Sequence, residues 1–388
     1  MIPNLFTKRE NAIQHHFCMT HAVENEREMR VGFLFILLVF LGLVAYVTWH
    51  LWRITPGSQM VKSIVSGLFL IWMVAAFASM ILRTRLPYPA VVALYEVGQP
   101  WLIAFIYLLI AFVLADIAVL CKLLPKAYLN GNLAGLLSMI GIVAVVMVAG
   151  GIHYKHKYRE QITIKTEKPL EQAHVKVVLA SDLHIGYCNR KDELARWIDL
   201  INAENPDLVL FGGDIVDIQT KPLVEGNYAE AFRRLEAPAY AVLGNHEYIA
   251  GVEESMQFFA EAGITLLKDS VAHFRGIDII GRDDRSNPCR PALWEYADSL
   301  GGFTILLDHQ PSHLEDAQDA GIDFQFSGHT HRGQFWPLSW ITDAIFERSW
   351  GPYRRGNTQY YISSGLGIWG PKIRIGTRSE YLVLEIEQ

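Results

Sequence analysis

Residues 175–184, Val-Lys-Val-Val-Leu-Ala-Ser-Asp-Leu-His, run from a short apolar, β-branched stretch straight into an acid and an imidazole two positions apart. The first six have the length and character of a buried strand, and Asp182 and His184 fall just past its end. The arrangement recurs downstream. Residues 207–211 precede Gly212-Gly213-Asp214, and 239–243 precede Gly244-Asn245-His246-Glu247. Residues 303–307 precede Asp308-His309, and 324–326 precede Gly328-His329-Thr330-His331. In layered α/β folds the loops beyond the carboxyl ends of strands converge on one edge, so these five segments are expected to meet.

Amphipathic helices are expected at 192–203, 228–235 and 253–262, and further strands at 277–280, 360–362 and 381–386. Strand–helix alternation followed mainly by strands predicts two packed sheets flanked by helices. The donors gathered at the strand ends are carboxylates, imidazoles and one amide. That mixture suits two divalent transition metals, with Mn, Fe, Zn, Co and Ni all compatible. Asp182 with His184, and His329 with His331, share an i, i+2 spacing that lets each pair reach one ion from an irregular loop. Asp214 has two carboxylate oxygens and is placed to bridge. Paired metals can cleave a phosphate ester without a protein nucleophile.

Upstream the composition changes. Hydrophobic residues make up 51% of the 388 and charged residues 19%, an imbalance concentrated before His153. Residues 31–52, 61–82, 101–120 and 133–152 are almost wholly apolar, and about 20 such residues suffice to span a bilayer. Turn formers separate them: Pro56-Gly57, Pro87, Pro89, Pro125 and Asn130-Gly131. The expected organisation is an N-terminal cytoplasmic segment at 1–30, a four-helix transmembrane region at 31–152, a juxtamembrane linker at 153–174 and a catalytic domain at 175–388. An even number of spans puts both ends of the bundle on one side. That side carries Lys8, Arg9, Arg27, Arg30, Arg83, Arg85, Lys155, Lys157 and Arg159, against Arg53, Lys62, Lys122 and Lys126 opposite. The bias favours a cytoplasmic N-terminus and a cytoplasmic catalytic domain. Asp116 lies near the end of the third run with no basic partner visible in the spans, and placement near the interface is expected for it.

A net charge of −6 gives no broad basic footprint, so nucleic acid is not an expected partner. Cys18, Cys121, Cys188 and Cys289 show neither paired nor zinc-ribbon spacing and fit a reducing compartment.

With these residues in view, the chain resembles the calcineurin-like metallophosphoesterases. Their pattern of D-x-H, G-D-x-x-D, G-N-H-[ED], a later His and G-H-x-H reads here as Asp182-Leu-His184, Gly213-Asp214-Ile-Val-Asp217, Gly244-Asn245-His246-Glu247, His309 and Gly328-His329-Thr-His331. The likeness is greatest to a bacterial membrane-anchored branch, through Gly-His-Thr-His-x-Gly-Gln and the distal Ser363-Ser-Gly-x-Gly-x-Trp-Gly-Pro371. The resemblance implies a four-layer αββα sandwich and a hydrolase acting on phosphoester bonds. It implies Asp182, His184 and His331 on one metal, Asn245, His309 and His329 on a second, and Asp214 between them. A hydroxide activated by the two metals would attack, with His246 as general acid and Asp217 orienting it. Asn245 would also contact the phosphate. Arg332 stands where many relatives have glycine and adds a cation for substrate.

Residues 334–355 hold Phe335, Trp336, Trp340, Phe346, Trp350 and Tyr353 among arginines. They read either as an interfacial lip that admits a lipid phosphate or as aromatics that fill the domain core or pack on the helix bundle, with a short helix at 338–346. Asp283 and Asp284 are expected in a turn behind the site. The substrate expected beside a bilayer is a lipid-borne or membrane-proximal phosphoester or diphosphate. The alternatives are a phosphodiesterase acting on a soluble nucleotide-type substrate and a membrane sensor or transporter with a regulatory hydrolase domain.

Overall fold

Residues 34–388 are described by the computed structural model; the expected segment 1–30 and the start of the first apolar run lie outside them. The chain forms two compact units. Among the described residues, one comprises 34–77 together with Trp101–Val145, the other Ala78–Pro100 together with Val146–Gln388.

All four apolar runs are helices: α1 (Leu34–Ile54), α2 (Gln59–Ile81), α4 (Pro100–Leu120) and α5 (Leu133–Lys155). Each is long and apolar enough to cross a membrane. Large apolar side chains such as Phe35, Leu68 and Val145 are exposed on them, as suits helices whose solvent is lipid. Within the first unit Asp116 does have a partner. Its Oδ2 accepts from the Tyr46 hydroxyl at 2.7 Å and lies 3.0 Å from Nε2 of His50, which is buried and stacked on Phe112. The expectation of no basic partner missed this imidazole, which ties α1 to α4.

The stretch before α4 is more than a loop. Pro87 and Pro89 open α3 (Tyr88–Gly98), because proline's fixed φ suits a helix's first turn. Val91, Val92 and Tyr95 on α3 pack with Tyr187 and Cys188 of the second unit, to which α3 belongs. Glu96 pairs with Arg190 at 3.4 Å.

The second unit is the expected αββα sandwich. Its first sheet runs β1 (Lys157–Lys165), β12 (Ser379–Glu387), β2 (His174–Ala180), β3 (Leu208–Phe211), β4 (Ala239–Ala241), β5 (Thr265–Leu266). The second runs β10 (Gly351–Arg355), β11 (Thr358–Ile362), β9 (Phe324–Ser327), β8 (Phe303–Leu307), β7 (Ile277–Gly281), β6 (Ser270–Phe274). β2 shows the layering: Val175, Val177 and Leu179 face the core between the sheets, whereas Val178 and Ala180 pack outward beneath the helices. That outer layer is α6 (Lys191–Asn202), α8 (Ala229–Phe232) and α10 (Val252–Ala262). Ile280, Leu306 and Ile362 form the corresponding outer core of the second sheet.

One expected boundary fails. Residues 157–165, read as part of a linker, are β1, paired in parallel with β12. A single residue, His156, separates α5 from that strand. β1 is an edge strand with one face in solvent, so its apolar positions are few.

Candidate metal centre

β2, β3 and β4 run parallel, as do β8 and β9, so their carboxyl ends deliver all five segments to one place. The ligand loops leave the strands through left-handed backbone: φ is 55° at Asp182, 44° at His184, 53° at Asp214, 71° at His329 and 47° at His331. Such conformations cost on the order of 1 kcal/mol each for non-glycine residues and concentrate at functional sites.

Three groups of converging donors result among the described residues; His184, Asp217 and His246 form one, and the other two are the candidate ligand groups. In one, His184 Nε2 and His331 Nε2 face each other at 3.0 Å, with Asp182 Oδ1 3.4 Å from the latter. In the other, His309 Nε2 lies 3.1 Å from Asp214 Oδ2, and His329 Nδ1 lies 2.8 Å from Asn245 Oδ1. Asp214 Oδ2 is also 3.7 Å from His184 Nε2, so one carboxylate touches both groups.

His246 stands beside them. Its Nδ1 donates to the main-chain carbonyl of Asp217 at 2.7 Å, which fixes the tautomer, while the Asp217 carboxylate is 3.5 Å away. That carboxylate also lies 3.6 Å from His184 Nδ1. Asp217 therefore orients His246 through its backbone first, where the sequence pointed to its side chain.

Glycines make room for the ligands. A Cβ at Gly244 would fall 2.2 Å from Asp214 Oδ1, and one at Gly328 would fall 2.2 Å from Asp182 Oδ2. Neither position has positive φ, so space rather than turn freedom demands glycine.

The electrostatics call for cations. Burial disfavours ionisation of Asp182, Asp214 and Asp217. Surrounding imidazoles (His331 and His184 for the first, His309 for the second, His184 and His246 for the third) nevertheless hold all three below the usual carboxylate range. Burial likewise opposes charge on His184, yet hydrogen bonds to Asp182 and Asp217 push it up to about 10. Burial opposes it on His309 too, and Asp214 raises that ring well above its ordinary value. Burial drives His329 and His331 down. Buried carboxylates held by imidazole protons, with His309 Nε2 lacking a hydrogen-bond partner and two Nε2 atoms converging, fit a pair of divalent ions.

The family comparison agrees with this geometry. The Calcineurin-like phosphoesterase profile matches residues 175–333. A metallophosphoesterase of Campylobacter jejuni is 30% identical over 266 residues, 65% of this chain and 69% of its own length. The chain belongs to the calcineurin-like metallophosphoesterases. One from Helicobacter pylori is 32% identical over 224 residues, 55% of this chain and 60% of that protein, so the match spans about three fifths of this relative. A Danio rerio protein described as a transmembrane protein with a metallophosphoesterase domain is 30% identical over 284 residues, 68% of this chain and 65% of its length. With four helices of spanning length, this metallophosphoesterase is a membrane-associated protein.

Two further residues of this metallophosphoesterase support the site. Glu247, quoted in the motif but given no task, is fully buried. Its Oε2 accepts from Gly244 N at 2.7 Å and Asp214 N at 3.0 Å, and its Oε1 from Val216 N at 2.8 Å. Burial and the charge of Asp214 push its carboxyl up to about 7. Arg374, also buried, donates to the carbonyls of His331 at 2.9 Å and Gly367 at 3.0 Å. It sits in an otherwise unremarked loop, and its only sequence signal is a cation between two isoleucines, Ile373 and Ile375.

The remaining expected residues are placed as follows. Asp283 accepts from Tyr248 and Asn287, and Asp284 from Ser286 and Gln310, as a turn behind the site should. Asp308 pairs with Arg282 and Arg290 instead of joining the ligands. The Arg332 guanidinium lies 4.1 Å from the Trp350 ring centroid.

Proposed function

We propose that this protein is an integral membrane, metal-dependent phosphohydrolase. Asp182, His184 and His331 would hold one ion, and Asn245, His309 and His329 a second. The observation that carries the reading is the Asp214 carboxylate, within 3.1 Å of His309 Nε2 and 3.7 Å of His184 Nε2, as a bridge between two metals requires. When bound, the ions supply a water of lowered pKa and positive charge for the phosphoryl oxygens.

The protein's own residues do the rest. His246, with Nδ1 committed to the Asp217 carbonyl, has Nε2 left to deliver a proton to the leaving oxygen. Asp217 keeps that ring in place and balances its charge. Asn245 and Arg332 would contact the phosphate. The spans favour a phosphoester or diphosphate borne by a lipid or held near the bilayer, and the lysine and arginine bias favours a cytoplasmic site at a bacterial inner membrane.

The test uses full-length protein loaded with Mn²⁺ against phospholipid, polyprenyl diphosphate and nucleotide panels. Asp214→Asn should abolish turnover with loss of metal. His246→Ala should cost about 10²–10⁴-fold in kcat with metal retained. Undiminished hydrolysis by both variants would sink the assignment.

A further inference from the structure

α12 (Leu338–Ile345) leaves four large apolar side chains in the open: Trp340 is 64% exposed, Ile345 68%, Ile341 54% and Trp336, just before the helix, 37%. Ile341 and Ile345 share one face by their i, i+4 spacing, and Trp336 packs edge-on to Trp340 at 5.3 Å. This face is tied to the end of α5, a helix long and apolar enough to cross a membrane. Gly150 lies within the apolar run of α5, between the exposed Val148 and Ile152. Its carbonyl accepts from Arg374 N at 3.1 Å, and a Cβ there would fall 2.6 Å from Ile373 and 2.8 Å from Ile375. His153 Nε2 meets the Thr377 carbonyl at 3.0 Å. The loop 373–377 thus lies against a stretch of α5 whose neighbouring apolar side chains, Val148 and Ile152, are exposed on a helix of spanning length. Ile375 in turn bridges to Phe335 and accepts from Trp336 N at 2.7 Å, two residues before α12 begins.

At its other end the same segment reaches the metal centre. Phe346, directly after α12, stands edge-on to the ligand His329 at 6.0 Å, and Thr330 donates to the Ser349 carbonyl at 2.6 Å.

We propose that α12 lies in the headgroup layer of the bilayer and forms the rim of the metal cleft, so that the phosphoester it admits is carried by a lipid. Trp at positions 336 and 340 and Arg at 348 are residue types that favour this layer. The position of α12 stands on the geometry alone, whereas the substrate clause rests on the phosphohydrolase reading.

The experiment places a nitroxide at Ile345→Cys, or at Arg354→Cys for comparison, in full-length protein with Cys18, Cys121 and Cys289 changed to serine. Reconstituted in phosphatidylcholine–phosphatidylglycerol nanodiscs, the label at 345 should collide with oxygen more than with a water-soluble nickel chelate, and the label at 354 the reverse. A label at 345 as open to the chelate as that at 354 overturns the proposal. Protection from both reagents does too, because it would mark a protein partner or a second copy.

The substrate clause is read from phosphatidic acid and a polyprenyl diphosphate in the same nanodiscs against soluble p-nitrophenyl phosphate. Ile341→Ser with Ile345→Ser should lower the lipid-to-soluble ratio of kcat/KM at least tenfold. An unchanged ratio, or a wild type that cleaves the soluble ester and neither lipid, overturns the clause. A wild type that cleaves nothing defeats the phosphohydrolase reading and leaves the depth measurement to decide where α12 lies.

Discussion

Three buried carboxylates, Asp182, Asp214 and Asp217, share their surroundings with five imidazoles, and the balance of charge there sets how metal must bind. Without metal, protons on His184 and His309 offset the carboxylates, which is why both rings are raised and His184 reaches about 10. An ion that takes their Nε2 atoms must expel those protons. The sign follows: lower pH favours the competing protons, so affinity rises with pH up to the range where His184 deprotonates unaided. Mn²⁺ titration calorimetry at pH 6.5 and 8.5, in buffers of different ionisation heat, should show about one or more protons released and affinity rising roughly tenfold per pH unit for each. A pH-independent affinity without proton release would exclude these two rings as ligands. Glu247 gives a second measurable consequence. Its folded carboxyl, at about 7, lies above the ordinary glutamate range. The neutral form therefore contributes stability that is complete below about 4.3 and lost as pH rises through about 7. In metal-free protein Glu247→Gln should flatten that part of the pH–stability curve. It should also destabilise by about 1–3 kcal/mol, because the amide cannot accept from Gly244, Asp214 and Val216 together. Thermal melts of the two proteins at pH 5 and 8 read both effects, and parallel curves would refute the first.

At the scale of elements, legibility followed apolar content. The strands β2, β3, β8 and β9 are short, largely buried runs, and each was visible because apolar residues dominate it, with only a few polar positions such as Lys176, Thr304 and Gln325 among them. The four helices of spanning length were visible for the same reason. β1 alternates around charged residues at a sheet edge, and α3 is short, opens on two prolines and is stabilised by Tyr187 and Cys188 from far along the chain, so neither had a local signature. The residues of the proposed ligand set could be picked out from their positions after strands, but their left-handed backbone could not, nor could the main-chain hold on His246. The roles of Glu247 and Arg374 exist only in the folded chain. The glycines divide similarly: the sequence suggested turns, whereas Gly328 is required because Asp182 occupies the space its side chain would need. Gly328→Ala should push Asp182 off its group and, through it, His331. Metal per chain measured by elemental analysis should fall from two toward one, with turnover down about ten- to a hundredfold. Full occupancy and activity in this variant would show that the loop yields, and that the close approach to Asp182 is not a constraint.

For the whole molecule the open quantity is sidedness, and the fold constrains it more than hydropathy does. Residues 78–100, from the end of α2 to the start of α4, belong to the same compact unit as the domain after α5, so the proposed topology has to put both on one side of the bilayer. That holds if α4 and α5 together cross an even number of times, which four single spans satisfy and a lost helix would not. With four single spans the shared side would carry Arg83, Arg85, Lys155, Lys157 and Arg159, against Arg53, Lys62, Lys122 and Lys126 opposite, the bias on which the proposed inward orientation of the catalytic unit rests. The cysteines report the answer. Cys121, between α4 and α5, and Cys289, in the catalytic unit, are exposed, whereas Cys188 is buried, its thiol donating to the Gly370 carbonyl at 2.8 Å and its pKa raised by that burial. With Cys18 changed to serine, a membrane-impermeant maleimide added to intact bacterial spheroplasts should label Cys121 and spare Cys289. Inverted vesicles should give the reverse, and Cys188 should resist in both. Labelling of Cys289 from outside would place the metal centre beyond the cytoplasm and redirect the search for its substrate to the outer leaflet. Labelling of both from one side would mean that a helix of spanning length does not span, and the shared-side argument would lose its even count.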